Sequence, residues 1–242
     1  MAQHLPGDIR WLRCAPCSPA LSACKPFTGV RTLFYQPENG HGLPHDPINA
    51  LVIPRPIGWV SSIDASGVSN LAPFALFNLV TYAPPHVMFA PTGTSPGRPK
   101  GQPKDSLTNV RETGEFVINM ATWELRDKVW LSSIPAPPGV SEFDITGLTP
   151  IPSRLVKPPR VKESPCHLEC RVAQILELAH TDPEVTNSLV IGRVIGIHIS
   201  DDVLVDGIVD YTKIAPMARL GYTDYTRVTE VHTKPFPKWP LS

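Results

Sequence analysis

Prolines are spread along almost the whole chain, and this constrains the fold more than any other feature. There are 29 in 242 residues, more than twice the usual share of ~5%. They do not form a tract; they fall between short apolar runs. Proline has no backbone donor and is excluded from strand centres, so this spacing predicts many short strands joined by stiff turns. Hydrophobic residues reach 42%, enough for a sizeable core in one large β domain or two small ones. The longest apolar run falls far short of a membrane span, so no membrane role is expected. Lys plus Arg equals Asp plus Glu at 22 each. A protein that grips nucleic-acid phosphates normally carries a basic excess, and none exists here. Zero net charge also gives little colloidal repulsion, as suits a chain that buries surface in an oligomer.

The first thirty residues show no sustained helix or strand period and no long apolar stretch after their charges. They read as a disordered extension rather than a secretory leader, which places the protein in the cytoplasm. A start at Val30 would remove residues 1–29. The domain then occupies 31–242. Five cysteines, an odd number without a leader, argue against a disulfide scaffold. Cys14 and Cys17 form a CxxC, but no second CxxC, paired histidine spacing or βαβ pattern accompanies it. Cys166 and Cys170 lie four apart on an expected strand, hence on one side of it.

From Arg31 the punctuation becomes regular. "NALVIPRPIGWVSSIDASGVSNLAPFALFNLV" reads as a strand, a turn at Ala65-Ser66-Gly67, and a second segment; "HVMFAP" is another strand. Residues 91–104, rich in Pro, Gly and basic side chains, predict a mobile surface loop. In "KDSLTNVRETGE", Asp105 or Ser106 serves as N-cap, Leu107 and Val110 face inward, and Gly114 supplies the left-handed stop. "EFVINMA" follows as a strand, then "WELRDKVWLSS" as a helix with Leu125, Val129 and Trp130 turned inward. "HLECRVAQILEL", "SLVIGRVIGIHI" and "DVLVDGIVD" complete the strands. The fold class is mainly β with a few short helices, closed into a barrel.

No GxGxxG after a strand, GxxxxGK[ST], HExxH or GxSxG occurs. What remains suits an anionic, planar cofactor. Ser61 and Ser62 end a strand, with hydroxyls and N–H groups able to donate to phosphate. Lys104, Asp105 and Ser106 sit at a helix N-terminus, where unpaired N–H groups and the dipole favour an anion. Asn70 and Asn78 offer amides to a ring edge or a polyol chain. Taken singly, a serine pair is an ordinary strand and Lys-Asp-Ser an ordinary cap. His41 and His45 flank a Gly-Leu-Pro turn near Asp46, but Pro44 prevents the helix that would align an i, i+4 metal pair; both read as structural. His198 points away from Ile197 and Ile199, either to solvent or into a dimer pocket.

The order of the pieces adds what none carries alone. "HGLPHDP" at 41–47, "PRPIGWVSSID" at 54–64, "NLAPFALFN" at 70–78, "PP" at 84–85, "KDSLTN" at 104–109 and "TGEFVIN" at 113–119 are followed by "ESPCHLEC" at 163–170, "GRVIGIHI" at 192–199 and "ARLGYTDY" at 218–225. From about Leu33 to Arg227 this resembles the flavin reductase-like family, which includes flavoredoxin and the reductase components of two-component monooxygenases. The resemblance implies an FMN-binding split β-barrel, a homodimer with both subunits at each flavin pocket, and NADH or NADPH as co-substrate. It implies Ser61 and Ser62 at the phosphate or ribityl chain, and Asn70, Leu71, Ala72 and Pro73 along the isoalloxazine. Lys104, Asp105 and Ser106 would complete the phosphate end, with Arg55, Phe77, Asn78 and Arg219 near the pocket. The expected activity is hydride transfer to flavin, with reduced flavin passed to a monooxygenase; the alternatives are an electron carrier serving a partner protein, and a barrel pocket for another anionic ligand. Two positions depart from the family. Ala75 stands where A-P-[FY]-S has its serine, removing a hydroxyl, and Tyr222 stands where R-L-G-G has its second glycine.

Overall fold

The computed structural model describes residues 32–94, 97–137, 139–185 and 187–237. The chain divides into two units, Met1–Gly42 and Leu43–Ser242. In the described part of the first, Pro37–Asn39 form a 3-10 turn and the Tyr35 and His41 rings meet edge to face at 5.7 Å. The extension, the Val30 start, and Cys14 and Cys17 lie outside the described residues.

The second unit carries the fold. Its elements are α1 (Ile48–Leu51), β1 (Arg55–Pro56), β2 (Gly58–Ile63), β3 (Ser69–Phe74), β4 (Phe77–Tyr82), β5 (Pro85–Phe89), α2 (Asp105–Thr113), β6 (Glu115–Met120), α3 (Arg126–Leu131) and α4 (Glu142–Thr146). Then come β7 (Pro150–Ile151), β8 (Arg160–Val161), β9 (Cys166–Leu178), β10 (Asn187–Ile199), β11 (Leu204–Val205), β12 (Ile208–Val209), α5 (Tyr211–Ile214), β13 (Met217–Arg219) and β14 (Tyr225–Arg227). Seven strands form one antiparallel sheet in the order β3-β2-β6-β9-β10-β5-β4.

That order forces curvature. β3 and β4 lie at opposite edges of the sheet, yet only Ala75 and Leu76 separate them. Two residues span less than about 10 Å, so the two edges must approach each other. No ladder joins them among the described residues. The sheet therefore curls into a barrel that is split along the β3–β4 seam, as the family resemblance implies, rather than closed by hydrogen bonds as the strand pattern alone suggests. Across this seam Gly58 leaves room for an aromatic ring: a Cβ there would lie 2.6 Å from Phe77 Cδ2.

β2 runs between two apolar layers, which explains its burial on both faces. Val60 joins the barrel interior with Phe74, Val87, Phe89, Phe116 and Val190, and α2 plugs this layer with Leu107 and Val110. Phe89 touches Phe74 and Phe116 at 5.1 and 5.2 Å between ring centroids, each pair adding ~0.5–1.5 kcal/mol beyond area burial. Trp59, on the other face, joins Val129, Phe143, Val161 and Met217, and its Nε1 donates to Ser132 Oγ at 2.9 Å.

Several local expectations hold. Gly114 ends α2 at φ 70° and donates to Val110 O. Residues 65–67 turn, with Asp64 Oδ1 accepting from the N–H groups of Ser66 and Val68. Cys170 is buried and Cys166 half-buried on one side of β9.

Others do not. α2 starts with Lys104 at the N-cap, and its side chain makes no capping bond; Asp105 is instead engaged by Arg98. That same Arg98 pins the 91–104 loop, reaching both Asp105 oxygens and Ala136 O at 2.8 Å, so this part of the loop is anchored rather than mobile. Trp130 lies 63% exposed, because in α3 the next residue after buried Val129 turns about 100° away. Residues 48–51 are a helical turn, not strand. "DVLVDGIVD" is a hairpin, not one strand, because Asp206 and Gly207 both take positive φ, 52° and 76°.

Candidate functional site

The split seam opens into two contiguous clefts. The larger, about 680 Å³, is lined by Arg55, Pro73, Phe74, Ala75, Lys104, Arg219, Tyr222 and Tyr225 among others. The smaller, about 180 Å³, is lined by Asn70, Ala72, Pro73, Arg98, Lys104, Asp105, Ser106, Ser132, Ser133 and Glu142 among others. Pro73, Phe74, Lys104 and Ser133 belong to both walls.

Lys104 stands at the junction. Its ammonium lies 5.7 Å from the Phe74 ring centroid and has no carboxylate partner among the described residues. Burial pushes its pKa down, since a charge held away from water without a counter-ion is costly. At the same point the first turn of α2 presents backbone N–H groups, and Asn70 Nδ2 donates to Ser106 Oγ at 3.0 Å, which leaves that hydroxyl proton free to donate. Asp105 is neutralised by Arg98, so Lys104 is the uncompensated charge here. Glu142, 4% exposed, accepts from Leu71 N at 2.8 Å, and burial pushes its pKa up. Cation, helix start and hydroxyl form an anion cradle.

Arg55 shapes the larger cleft. It donates to Asn49 O and Val52 O at 2.8 and 2.6 Å and to Leu220 O at 2.9 Å, fastening α1 to the segment after β13. Its Nε is buried without a partner. Opposite, Arg219 donates to Tyr222 O and stacks on Tyr225 at 4.4 Å. Tyr222 takes φ 55°, a backbone state that glycine adopts without cost, and its ring tilts against His45 at 5.6 Å.

The thirteen candidate residues thus separate. Asn70, Ala72, Pro73, Lys104, Asp105 and Ser106 meet in the smaller cleft, and Arg55, Pro73, Lys104 and Arg219 in the larger. Ser61, Ser62 and Leu71 line neither. Ser61 Oγ donates to Pro159 O at 2.5 Å and accepts from Asn119, while Ser62 Oγ accepts from Asn109 of α2. Both hydroxyls are sealed because β2 is covered on both faces. Phe77 packs on the barrel core, and Asn78 is exposed on β4, accepting from Leu79 N. The sequence did not single out Arg98, Ser132, Ser133, Glu142 or Tyr225. These come from distant segments that only folding brings to the seam. His198 is neither free nor at the seam: its Nε2 lies 2.6 Å from Glu169 Oε1.

Comparison with known proteins agrees with this architecture. The flavin reductase like domain matches residues 50–215. A protein of Halalkalibacterium halodurans is 38% identical over 180 residues, 74% of this chain and 84% of the relative. Among solved structures, nitrilotriacetate monooxygenase component B from Bacillus cereus superposes with a TM-score of 0.73 at 27% identity, covering 90% of this chain and 100% of that one. The 2-nitrobenzoate 2-nitroreductase of Pseudomonas fluorescens does so with a TM-score of 0.68 at 26% identity, covering 81% and 91%. The split barrel, its seam cleft and these similarities establish that the chain belongs to the flavin reductase-like family.

Proposed function

We propose that the chain binds FMN in the seam clefts and reduces it with NADH or NADPH. The observation that carries this reading is Lys104: a half-buried cation with no carboxylate partner among the described residues, beside the start of α2, where the smaller cleft meets the larger. The residues fit the cofactor. Lys104, Ser106 and the α2 N–H groups would hold the phosphate. Ala72, Pro73 and Phe74 form an apolar wall for the planar ring, and Arg55 and Arg219 put positive charge at the side of the larger cleft. When bound, the isoalloxazine would supply the hydride acceptor. The side chains' task is then to orient two rings and exclude water, since hydride transfer needs approach within about 3.5 Å rather than an acid or base.

A homodimer fits the exposed apolar side chains Leu76, Leu79 and Val80 near the seam and Leu176 and Leu178 on β9. The monooxygenase component among the similar structures supports onward delivery of reduced flavin to an oxygenase. Among the described residues no helix is long and apolar enough to cross a membrane.

Flavin fluorescence titration, followed by anaerobic NADH and NADPH oxidation with added FMN, tests the reading. Saturable binding with turnover is expected. Binding without turnover would leave an electron carrier. A colourless protein indifferent to FMN would refute the flavin reading and favour a pocket for a different anion.

A further inference from the structure

Beside the larger cleft lies a second, differently built pocket. Trp123, Arg126, Trp130, Met217 and Tyr225 enclose about 290 Å³. Trp123 has two guanidiniums near its ring: Arg126 Cζ lies 5.3 Å and Arg227 Cζ 5.6 Å from the ring centroid. Trp130, 63% exposed, presents an indole to the same space. Tyr225 is shared with the larger cleft and carries Arg219 over its ring at 4.4 Å. Arg219 and Arg227 have no carboxylate partner within 4.0 Å among the described residues; Arg126 has a loose one, Asp127 at 3.7 Å, itself 84% exposed.

Aromatic faces interleaved with guanidiniums recognise flat bases joined to phosphates. The rings stack a base of any kind, and guanidinium forks take phosphate oxygens. The exposed Asp127 carboxylate is an acceptor of the sort an exocyclic amine uses. Continuity through Tyr225 decides what the occupant is attached to: its far end must reach the seam. We propose that this pocket takes the adenylate half of the reduced pyridine nucleotide, with its diphosphate against Arg227 and Arg126 and its nicotinamide passing Tyr225 into the larger cleft. The inference rests on the reading that NADH or NADPH reduces the flavin.

Calorimetric titration of the full chain with ADP, in the absence and presence of FMN, tests it without requiring turnover. Saturable ADP binding is expected in both, weakened about tenfold by Trp130→Ala and by Arg227→Gln. In turnover, Trp130→Ala should raise KM for NADH and erase its advantage over reduced nicotinamide mononucleotide, which lacks the adenylate. Absence of ADP binding, equal binding by both variants, or displacement of ADP by FMN would overturn the proposal. Failure of the flavin reading shows separately, as loss of FMN binding in a chain whose ADP titration still reads the pocket.

Discussion

At the β9–β10 hairpin, Glu169 is fully buried, and every polar group around it meets that charge. Its oxygens accept from Arg154 N at 2.7 Å, Leu155 N at 2.6 Å and His198 Nε2 at 2.6 Å. Burial opposes its ionisation, yet these donors outweigh burial and hold the carboxyl below the usual range. The seam treats its charges in the opposite way. Among the described residues Lys104 has no carboxylate, Arg55 Nε no acceptor, and Glu142 is held by too few donors to offset its burial. The hairpin does have one unpaired buried atom, His167 Nδ1. That ring is neutral, because Nε2 donates to Val161 O at 2.8 Å and burial pushes its pKa down to about 4. The contrast separates structure from function. A saturated carboxylate fastens the 154–155 segment to the barrel, whereas unsaturated charges are stability given up to keep a ligand site open.

The sharpest way to break the comparison is to remove the saturated group. Glu169→Ala should lower unfolding free energy by about 3 kcal/mol in urea, because three part-buried donors lose their buried acceptor and the side chain leaves a cavity. A loss below ~1 kcal/mol would mean that the latch is not structural. His167 gives the next largest effect. Its pKa falls from 6.5 in the unfolded chain to about 4 when folded, so the unfolded chain takes up the proton first. The associated stability is complete above about pH 6.5 and is lost as pH falls toward 4, about 3 kcal/mol in all. Glu142 works with the opposite sign, since its raised pKa favours the fold as pH falls. Urea midpoints measured across this range should fall for the native chain and flatten for His167→Gln.

Lys104→Gln turns the same test on the seam. Removing a half-buried cation that has no carboxylate partner among the described residues should leave thermal stability equal or higher, while FMN affinity falls about tenfold or more. Because its pKa is lowered, FMN affinity of the native chain should also decline on the alkaline side earlier than an ordinary lysine allows. A variant with a clearly lower melting temperature but unchanged FMN affinity would place Lys104 with the structural charges.

How much of this was legible in the sequence depended on whether local rules were enough. Short strands between prolines, Gly114 as the stop of α2, and the inward Leu107 and Val110 follow from local periodicity and φ preference. The Asp206-Gly207 hairpin is equally local, since an Asp-Gly pair between two apolar stretches favours a two-residue turn. The surroundings of the serine pair are not local in this sense. Ser61 and Ser62 have the right chemistry for phosphate, but whether β2 has one buried face or two depends on α2 and on the layer around Trp59. Neither is local to the strand. Arg98 and Glu142 were out of reach for the same reason, since only the packing of α4 and the pinned loop brings them to α2.

Ala75 offers the smallest effect and the finest test of that difference. It lies in the two-residue connection between the sheet edges and lines the larger cleft, where the family pattern has a serine. Because β3 and β4 do not pair, the hydrogen-bonding groups of this connection are not all committed to a ladder, and Ala90 N takes up Leu76 O at 2.8 Å. Backbone donors beside Ala75 can therefore serve part of the missing hydroxyl's role, and Ala75→Ser should add only one neutral hydrogen bond. FMN affinity should rise two- to tenfold, as ~0.5–1.5 kcal/mol implies, with urea stability unchanged. Tighter binding would assign the seam connection to the cofactor site. An unchanged affinity together with a shift in urea midpoint would return it to the barrel wall, alongside Ser61 and Ser62.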